Sequence, residues 1–334
     1  MPAWTWLPAL WAVAVLATWA SLHYARRRRL IDQPGERRSH VLPTPRGGGL
    51  GIAVALLLGC AVAAAGGMLG GRAALAFAVG LVLVAGIGWV DDHRPLSPAL
   101  RLLVQCLAGV VVALGLFGID GRWGWALVAF AAVPVLVNVW NFMDGIDGLA
   151  TTQALLAGGT LALLAPAQAG ALGWVLVAGC AGFLPFNFPR ARIFLGDVGS
   201  GALGYALAVI AVLAAARPGA GVAAVCVLLP LSAFLVDASL TLAGRVLAGE
   251  RWWLAHVSHL YQRMVRAGHR HVAVTLVYAA FSLVAGILAL VLNQLALNQF
   301  ASNQAGPWLA GVATVCWLLL AALTWFLLRR AATH

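Results

Sequence analysis

Asn138-Val139-Trp140-Asn141-Phe142-Met143-Asp144-Gly145-Ile146-Asp147-Gly148-Leu149-Ala150 is the stretch on which the reading of this chain turns. Two amides and two carboxylates fall within ten residues, flanked by the apolar runs Trp123 to Val137 and Leu149 to Leu164. A carboxylate at the edge of a membrane-length apolar run is costly, and its presence there points to function. The stretch reads as the centre of an intramembrane active site, with the other loops arranged to face it.

Composition agrees. Hydrophobic residues make up 63% of the 334, charged residues 9%, and mean hydropathy is +0.94. A soluble domain is about half apolar and about a quarter charged. The apolar residues come in blocks of span length, near residues 4–22, 48–69, 73–90, 99–117, 123–140, 149–165, 170–186, 199–216, 220–243, 272–293 and 307–328. The expectation is an all-α polytopic membrane protein of about eleven transmembrane helices, a single domain over residues 1–334. The first block has no basic residue before its apolar core, so it reads as a retained anchor and not a cleaved signal.

The charges divide by side. All 21 basic residues are arginine, and alternating the blocks puts 18 of them on one face. Only Arg72, Arg122 and Arg217 fall on the other. The positive-inside rule then gives an outside N-terminus and a cytoplasmic C-terminus. Eight of the ten acids share the arginine-rich face; Asp120 lies opposite, and Asp237 sits within the ninth block, where helix packing is its expected role. The net charge of +11 is thus a topology signal and does not imply nucleic-acid binding. Five cysteines, all in apolar blocks, read as small buried hydrophobes.

Five loops on that face carry the candidate chemistry: 26–47, 91–98, 138–148, 187–200 and 245–271. In the first, Arg37-Arg38-Ser39-His40-Val41-Leu42-Pro43-Thr44-Pro45-Arg46-Gly47-Gly48-Gly49 puts three glycines and Arg46 at a helix start. That reads as an anion site or as a glycine-rich span start with topogenic arginines. Asp91-Asp92 at a membrane edge need a cation or a proton, unless Asp92 or Ser97 simply caps the fourth helix. Asp197, between glycines, offers a hard oxygen ligand or an N-cap. Asn141 offers another, and such ligands suit Mg²⁺, which fills its shell with waters and substrate phosphates. In the last loop His256, His259 and Arg263 share one side at helical spacing. With Arg266 they read as donors to pyrophosphate oxygens, or as part of an amphipathic interfacial helix that also carries Trp252 and Trp253.

Asp91-Asp92, Asn138-x-x-Asn141-Phe142-x-Asp144-Gly145-x-Asp147-Gly148, Phe194-Leu195-Gly196-Asp197-x-Gly199-Ser200 and His256-x-x-His259, in this order, resemble the polyprenyl-phosphate N-acetylhexosamine-1-phosphate transferases, the MraY/WecA-like superfamily (glycosyltransferase family 4). Pro43-Thr44-Pro45-Arg46-Gly47-Gly48-Gly49 fits the same family. The resemblance implies Mg²⁺-dependent transfer of a sugar 1-phosphate from a UDP-N-acetylhexosamine, or a deoxy derivative, to undecaprenyl phosphate, releasing UMP. It implies Asn141 and Asp197 as metal ligands. Asp91 and Asp92 would border the lipid phosphate, and Asp144 and Asp147 would organise the nucleotide sugar. His256 and His259 join the catalytic set, with Arg46, Asn138, Arg263 and Arg266 on substrate. His-x-Ser-His-Leu-Tyr-Gln-Arg resembles the O-antigen and lipopolysaccharide branch, although Val257 stands where that branch has a basic residue. The expected setting is the bacterial inner membrane with the site on the cytoplasmic face, and a homodimer is one candidate assembly. A non-catalytic scaffold and a lipid-phosphate transporter are the rival classes. The transporter would need polar residues through the bilayer, where Asp237 is the one candidate.

Overall fold

The computed structural model describes residues 5–33, 35, 42–217, 221, 223–251, 256–300 and 306–332. Among them the chain is a helical bundle: α1 Leu7–Arg28, α2 Leu50–Ala65, α3 Gly71–His93, α4 Pro98–Ala113, α5 Trp123–Phe142, α6 Leu149–Leu164, α7 Ala167–Asn187, α8 Gly196–Ala215, α9 Ala223–Cys226, α10 Ser232–Leu247, α11 Leu260–Arg266, α12 His271–Phe300 and α13 Gly306–Ala331. A two-residue antiparallel ribbon, Ile31–Asp32 with Thr44–Pro45, is the only sheet among the described residues.

Eight helices are long and apolar enough to cross a membrane, and α2 and α6 are shorter apolar helices. This is a polytopic all-α membrane fold. The eleven apolar blocks all contain helix, but they are not eleven equal spans. The ninth block breaks between Cys226 and Ser232, around Pro230, whose ring and missing N–H interrupt a helix. α2 stops at the Gly66-Gly67 turn, and α6 stops before Pro166.

α8 is the axis of the bundle. It packs against α3, α5, α6 and α7, and 94% of its span window is buried. Its composition explains that position. Gly199, Ser200, Gly201, Ala202, Gly204, Ala206 and Ala208 give it small faces on every side, and small residues let membrane helices approach closely. A Cβ at Gly88 of α3 would lie 2.4 Å from the Asp197 carbonyl oxygen. A kinder irregularity sits between α4 and α5: Pro134 leaves the Phe130 carbonyl without its helical donor, and Gly109 of α4 fits against that oxygen.

The bundle has two chemically unlike ends. At one end Arg72 pairs with Asp120, Arg122 donates to the Ala216 carbonyl and Arg217 donates to the Leu164 carbonyl at 3.0 Å. The other end carries every motif singled out above that lies within the described residues.

Candidate active site

Four helix ends meet at the motif-bearing end. α3 finishes with Asp91 and Asp92, where carboxylates oppose the helix dipole. Asp92 is buried, and its oxygens accept from the first amides of α8: Asp197 N at 3.1 Å and Val198 N at 3.2 Å. The acid that ends one helix thus caps the start of another, and a cap of this kind is worth about 0.5–2 kcal/mol. Ser97, not Asp92, caps α4, accepting from Leu100 N at 3.3 Å. Asp197 therefore lies within the first turn of α8 and is not its N-cap.

Gly196 makes this joint possible. Its φ is +75°, and a Cβ there would sit 2.5 Å from Asp92 Oδ2 and 2.8 Å from Gly47 N. The glycines of the first loop do similar work. Gly48 N donates to Phe194 O at 2.9 Å, Gly49 N donates to Leu195 O at 2.8 Å, and Phe194 N donates to Pro45 O at 2.8 Å. Two of the three glycine amides read from sequence as an anion cradle, those of Gly48 and Gly49, are consumed in joining two loops. Arg46 lies at this seam, and its Nη2 donates to the Asp92 carbonyl oxygen. Residues 36–41 of this loop lie outside the described residues, as do Trp252 and Trp253.

A guanidinium links the remaining acids. Arg101 Nη1 donates to Asp197 Oδ2 at 2.7 Å and to Asp91 Oδ2 at 3.3 Å, while Asp91 Oδ1 accepts from Leu96 N at 2.7 Å. The Asn141 amide donates to Ser200 Oγ at 3.1 Å and faces the Asp197 carboxylate. Asn141, Asp197, Arg101, Asn138 and Gln105 line one small cavity. Asn138 itself is occupied, donating to Gln105 Oε1 at 2.6 Å and to the Pro134 carbonyl at 2.7 Å.

Asp144 and Asp147 part company. Asp144 faces the acidic group: burial, then the Asp197 and Asp92 charges, push its carboxyl well above the usual range. Asp147 turns to α12, with Oδ2 at 3.4 Å from His271 Nδ1, and its carbonyl accepts from Thr275 Oγ1 at 2.9 Å. Asn187 ties the loops beneath, accepting from Gly148 N at 2.9 Å and donating to Ile193 O at 3.0 Å.

The two histidines lie before α11, so helical spacing does not bring them together. His259 is the N-cap residue, with extended backbone. Its ring lies 4.8 Å from that of His256 and stacks on Phe142 and Tyr261. Burial first, then the His259 and Arg245 charges, push His256 down to about 4. Arg263 Nε donates to Ser258 O at 3.2 Å, and Arg266 lies on the exposed side of α11. The short helix buries Leu260, Tyr261, Gln262 and Met264, so it packs into the bundle and does not lie flat on an interface.

Sequence reasoning passed over Arg101, Gln105, Ser200 and Asp237. Arg101 counted only as a topology charge, although its place three residues into α4 put it near Asp91. Asp237 was given to helix packing, although an ionisable residue inside an apolar block was its own signal.

The chemistry of the donor set can be tested against a metal. Asp91, Asp92, Asp144 and Asp197 face the contacts of two guanidinium groups, Arg46 and Arg101. Asp92 is already spent on backbone amides. Among the described residues no three His, Cys, Asp or Glu side chains form a ready-made metal cage. Few protein oxygens, uncompensated negative charge and room for water fit a hard dication that completes its shell elsewhere, and do not fit a structural zinc site.

Residues 74–215 match the family model described as Glycosyl transferase family 4. The chain is 32% identical over 300 residues to the decaprenyl-phosphate N-acetylglucosaminephosphotransferase of Mycobacterium tuberculosis (strain ATCC 25618 / H37Rv), covering 76% of this chain and 73% of that protein. It is 28% identical over 279 residues to the probable undecaprenyl-phosphate N-acetylglucosaminyl 1-phosphate transferase of Bacillus subtilis (strain 168), covering 79% and 77%. A phospho-N-acetylmuramoyl-pentapeptide-transferase of Acaryochloris marina (strain MBIC 11017) is 33% identical over 248 residues, covering 64% and 66%.

Proposed function

The chain belongs to the polyprenyl-phosphate hexosamine-1-phosphate transferase superfamily, and from that premise we propose that it transfers N-acetylhexosamine 1-phosphate from a UDP-sugar to undecaprenyl phosphate, releasing UMP. The observation that carries this reading is the meeting of Asp91 and Asp197 at Arg101, with Asn141 and Asp144 facing Asp197, at one end of the bundle. The names of the relatives favour an N-acetylglucosamine-type donor. The His256-Val257-Ser258-His259 segment favours a surface-polysaccharide pathway of the O-antigen kind.

The obstacle is repulsion between two anions, the lipid phosphate and the donor diphosphate. A bound Mg²⁺, held by Asp197 and Asn141, would neutralise diphosphate charge and ease departure of UMP. Arg101 keeps the Asp91 and Asp197 carboxylates side by side. Asp92 holds the start of α8, and so fixes where Asp197 stands. His256, His259 and Arg263 supply donors for phosphate oxygens. A phosphate monoester has its second pKa near about 6 and is mostly dianionic at neutral pH. The acceptor therefore needs no base, and Asp91 and Asp92 act by placing Arg101 and the start of α8.

The arginine partition supports an outside N-terminus, a cytoplasmic C-terminus and a site on the cytoplasmic face of a bacterial inner membrane. The donor would arrive from the cytoplasm while the acceptor's chain stays in the bilayer. The test uses purified protein, undecaprenyl phosphate and a panel of UDP-N-acetylhexosamines with Mg²⁺. Lipid-linked product with UMP release, reversed by added UMP, is expected. Lipid movement without product would favour the transporter, and neither would favour the scaffold.

A further inference from the structure

Asp237 is a buried carboxylate in α10, and five groups from four parts of the chain converge on it. Its Oδ1 accepts from Leu260 N at 2.9 Å, Trp325 Nε1 at 2.9 Å and Thr241 Oγ1 at 3.2 Å. Its Oδ2 accepts from Tyr278 OH at 2.8 Å. His259 Nδ1 stands 3.8 Å from Oδ1, within ion-pair range and beyond a hydrogen bond. That nitrogen is buried and has no hydrogen-bond partner among the described residues. A buried imidazole nitrogen left without a partner is costly, and Asp237 is the anion placed to satisfy it.

The same contacts reach the active site. His259 stacks on Phe142, and Tyr261 OH donates to the Phe142 carbonyl at 3.0 Å. Phe142 lies between Asn141 and Asp144. A carboxylate behind an imidazole fixes the tautomer and orientation of the ring.

We propose that Asp237 is a positioning residue that holds the His259 ring oriented toward a substrate phosphate, a role that rests on the transferase reading above. Leu260, Tyr278 and Trp325 fix the carboxylate from α11, α12 and α13. With Nδ1 turned to Asp237, Nε2 is the nitrogen left for the phosphate. The other charged or titratable groups around the pair are His256 in the same loop, Arg245 on α10, Tyr261 and Arg263 on α11, Tyr278 on α12 and Arg329 on α13.

The experiment is a double-mutant cycle on the full chain with Asp237→Asn, His259→Ala and the pair, read both as kcat/KM and, without turnover, as UDP affinity by calorimetry. Asp237→Asn is expected to lower kcat/KM about 10–100-fold in the wild-type background and less than about twofold in the His259→Ala background. UDP affinity should follow the same pattern. Asp237→Glu should recover part of the activity, and Tyr278→Phe, which removes a partner but no charge, should lose less than Asp237→Asn. If Asp237→Asn does not fold, Asp237→Glu with and without His259→Ala carries the cycle. Equal losses in both backgrounds would overturn the proposal. A coupled loss of UDP affinity in protein that transfers no sugar phosphate would count against the transferase reading and for the pairing.

Discussion

Two carboxylate centres lie at the same end of this bundle and are built on opposite principles. Around Asp237 a single carboxylate is surrounded by donors from Leu260, Thr241, Tyr278 and Trp325, with an imidazole beside it. Around Asp197 several carboxylates share too few cations, and Asp144 is pushed toward its neutral form by burial first and then by the Asp197 and Asp92 charges. The first centre draws its charge compensation from the protein's own donors. The second carries more negative charge than its own cations offset, an imbalance that the proposed Mg²⁺ would relieve. In a membrane, where an unpaired charge is costly, that imbalance is what would set the proposed reactive site apart from a supporting one.

The contrast can be broken most sharply at the Asp237 centre. Asp237→Leu strands the Tyr278 hydroxyl, the Trp325 indole and the Leu260 amide, and is expected to destabilise the fold by about 3–5 kcal/mol, as loss of one buried ionic partner does. Denaturant unfolding in detergent reads this directly. A loss below 1 kcal/mol, on the order of a surface change, would mean that the network contributes little.

The crowded centre should respond in the opposite direction. The folded Asp144 carboxyl is raised, so ionising it costs stability as pH rises through its folded value. Asp144→Asn is expected to raise the unfolding midpoint by a few degrees at neutral pH in chelator, with the gain shrinking at acid pH, while transfer falls. Mg²⁺ should narrow the gap by stabilising the wild type more than the variant. A destabilised Asp144→Asn protein would remove the crowding argument.

The smallest effect sits beside the Asp237 centre. His256 is pushed from 6.5 down to about 4, so it is neutral in the fold at neutral pH. Its contribution is full above pH 6.5 and is lost as pH falls toward 4. His256→Gln should flatten the stability profile across that window only slightly, because the ring is partly exposed and screened.

Much of this was legible in the sequence, for physical reasons that differ by residue. Apolar block length and the arginine partition announced the membrane fold, because burial in lipid constrains composition directly. Asp91, Asp92, Asp144 and Asp197 stood out because charge is rare in such a chain, and Asn141 because it falls between two apolar runs beside Asp144 and Asp147. What Asp92 does was not legible: its partners are backbone amides of α8, 105 and 106 residues away. The histidine pair misled the reading for a local reason. Its spacing suits a helix, but His259 ends the loop as an N-cap while Asp237 holds its ring from another helix. The broken ninth block was written in Pro230, yet block length alone hid it.

The central claim is that Asn141 and Asp197 share one ion at the crowded centre. Mn²⁺ in place of Mg²⁺ makes that measurable by the electron paramagnetic resonance signal of the free ion, with UDP present. One ion per chain is expected for the wild type and for Arg217→Gln at the far end, with binding at least about tenfold weaker in both Asn141→Ala and Asp197→Ala. Wild-type binding in those two variants, or no binding in the wild type, would contradict it.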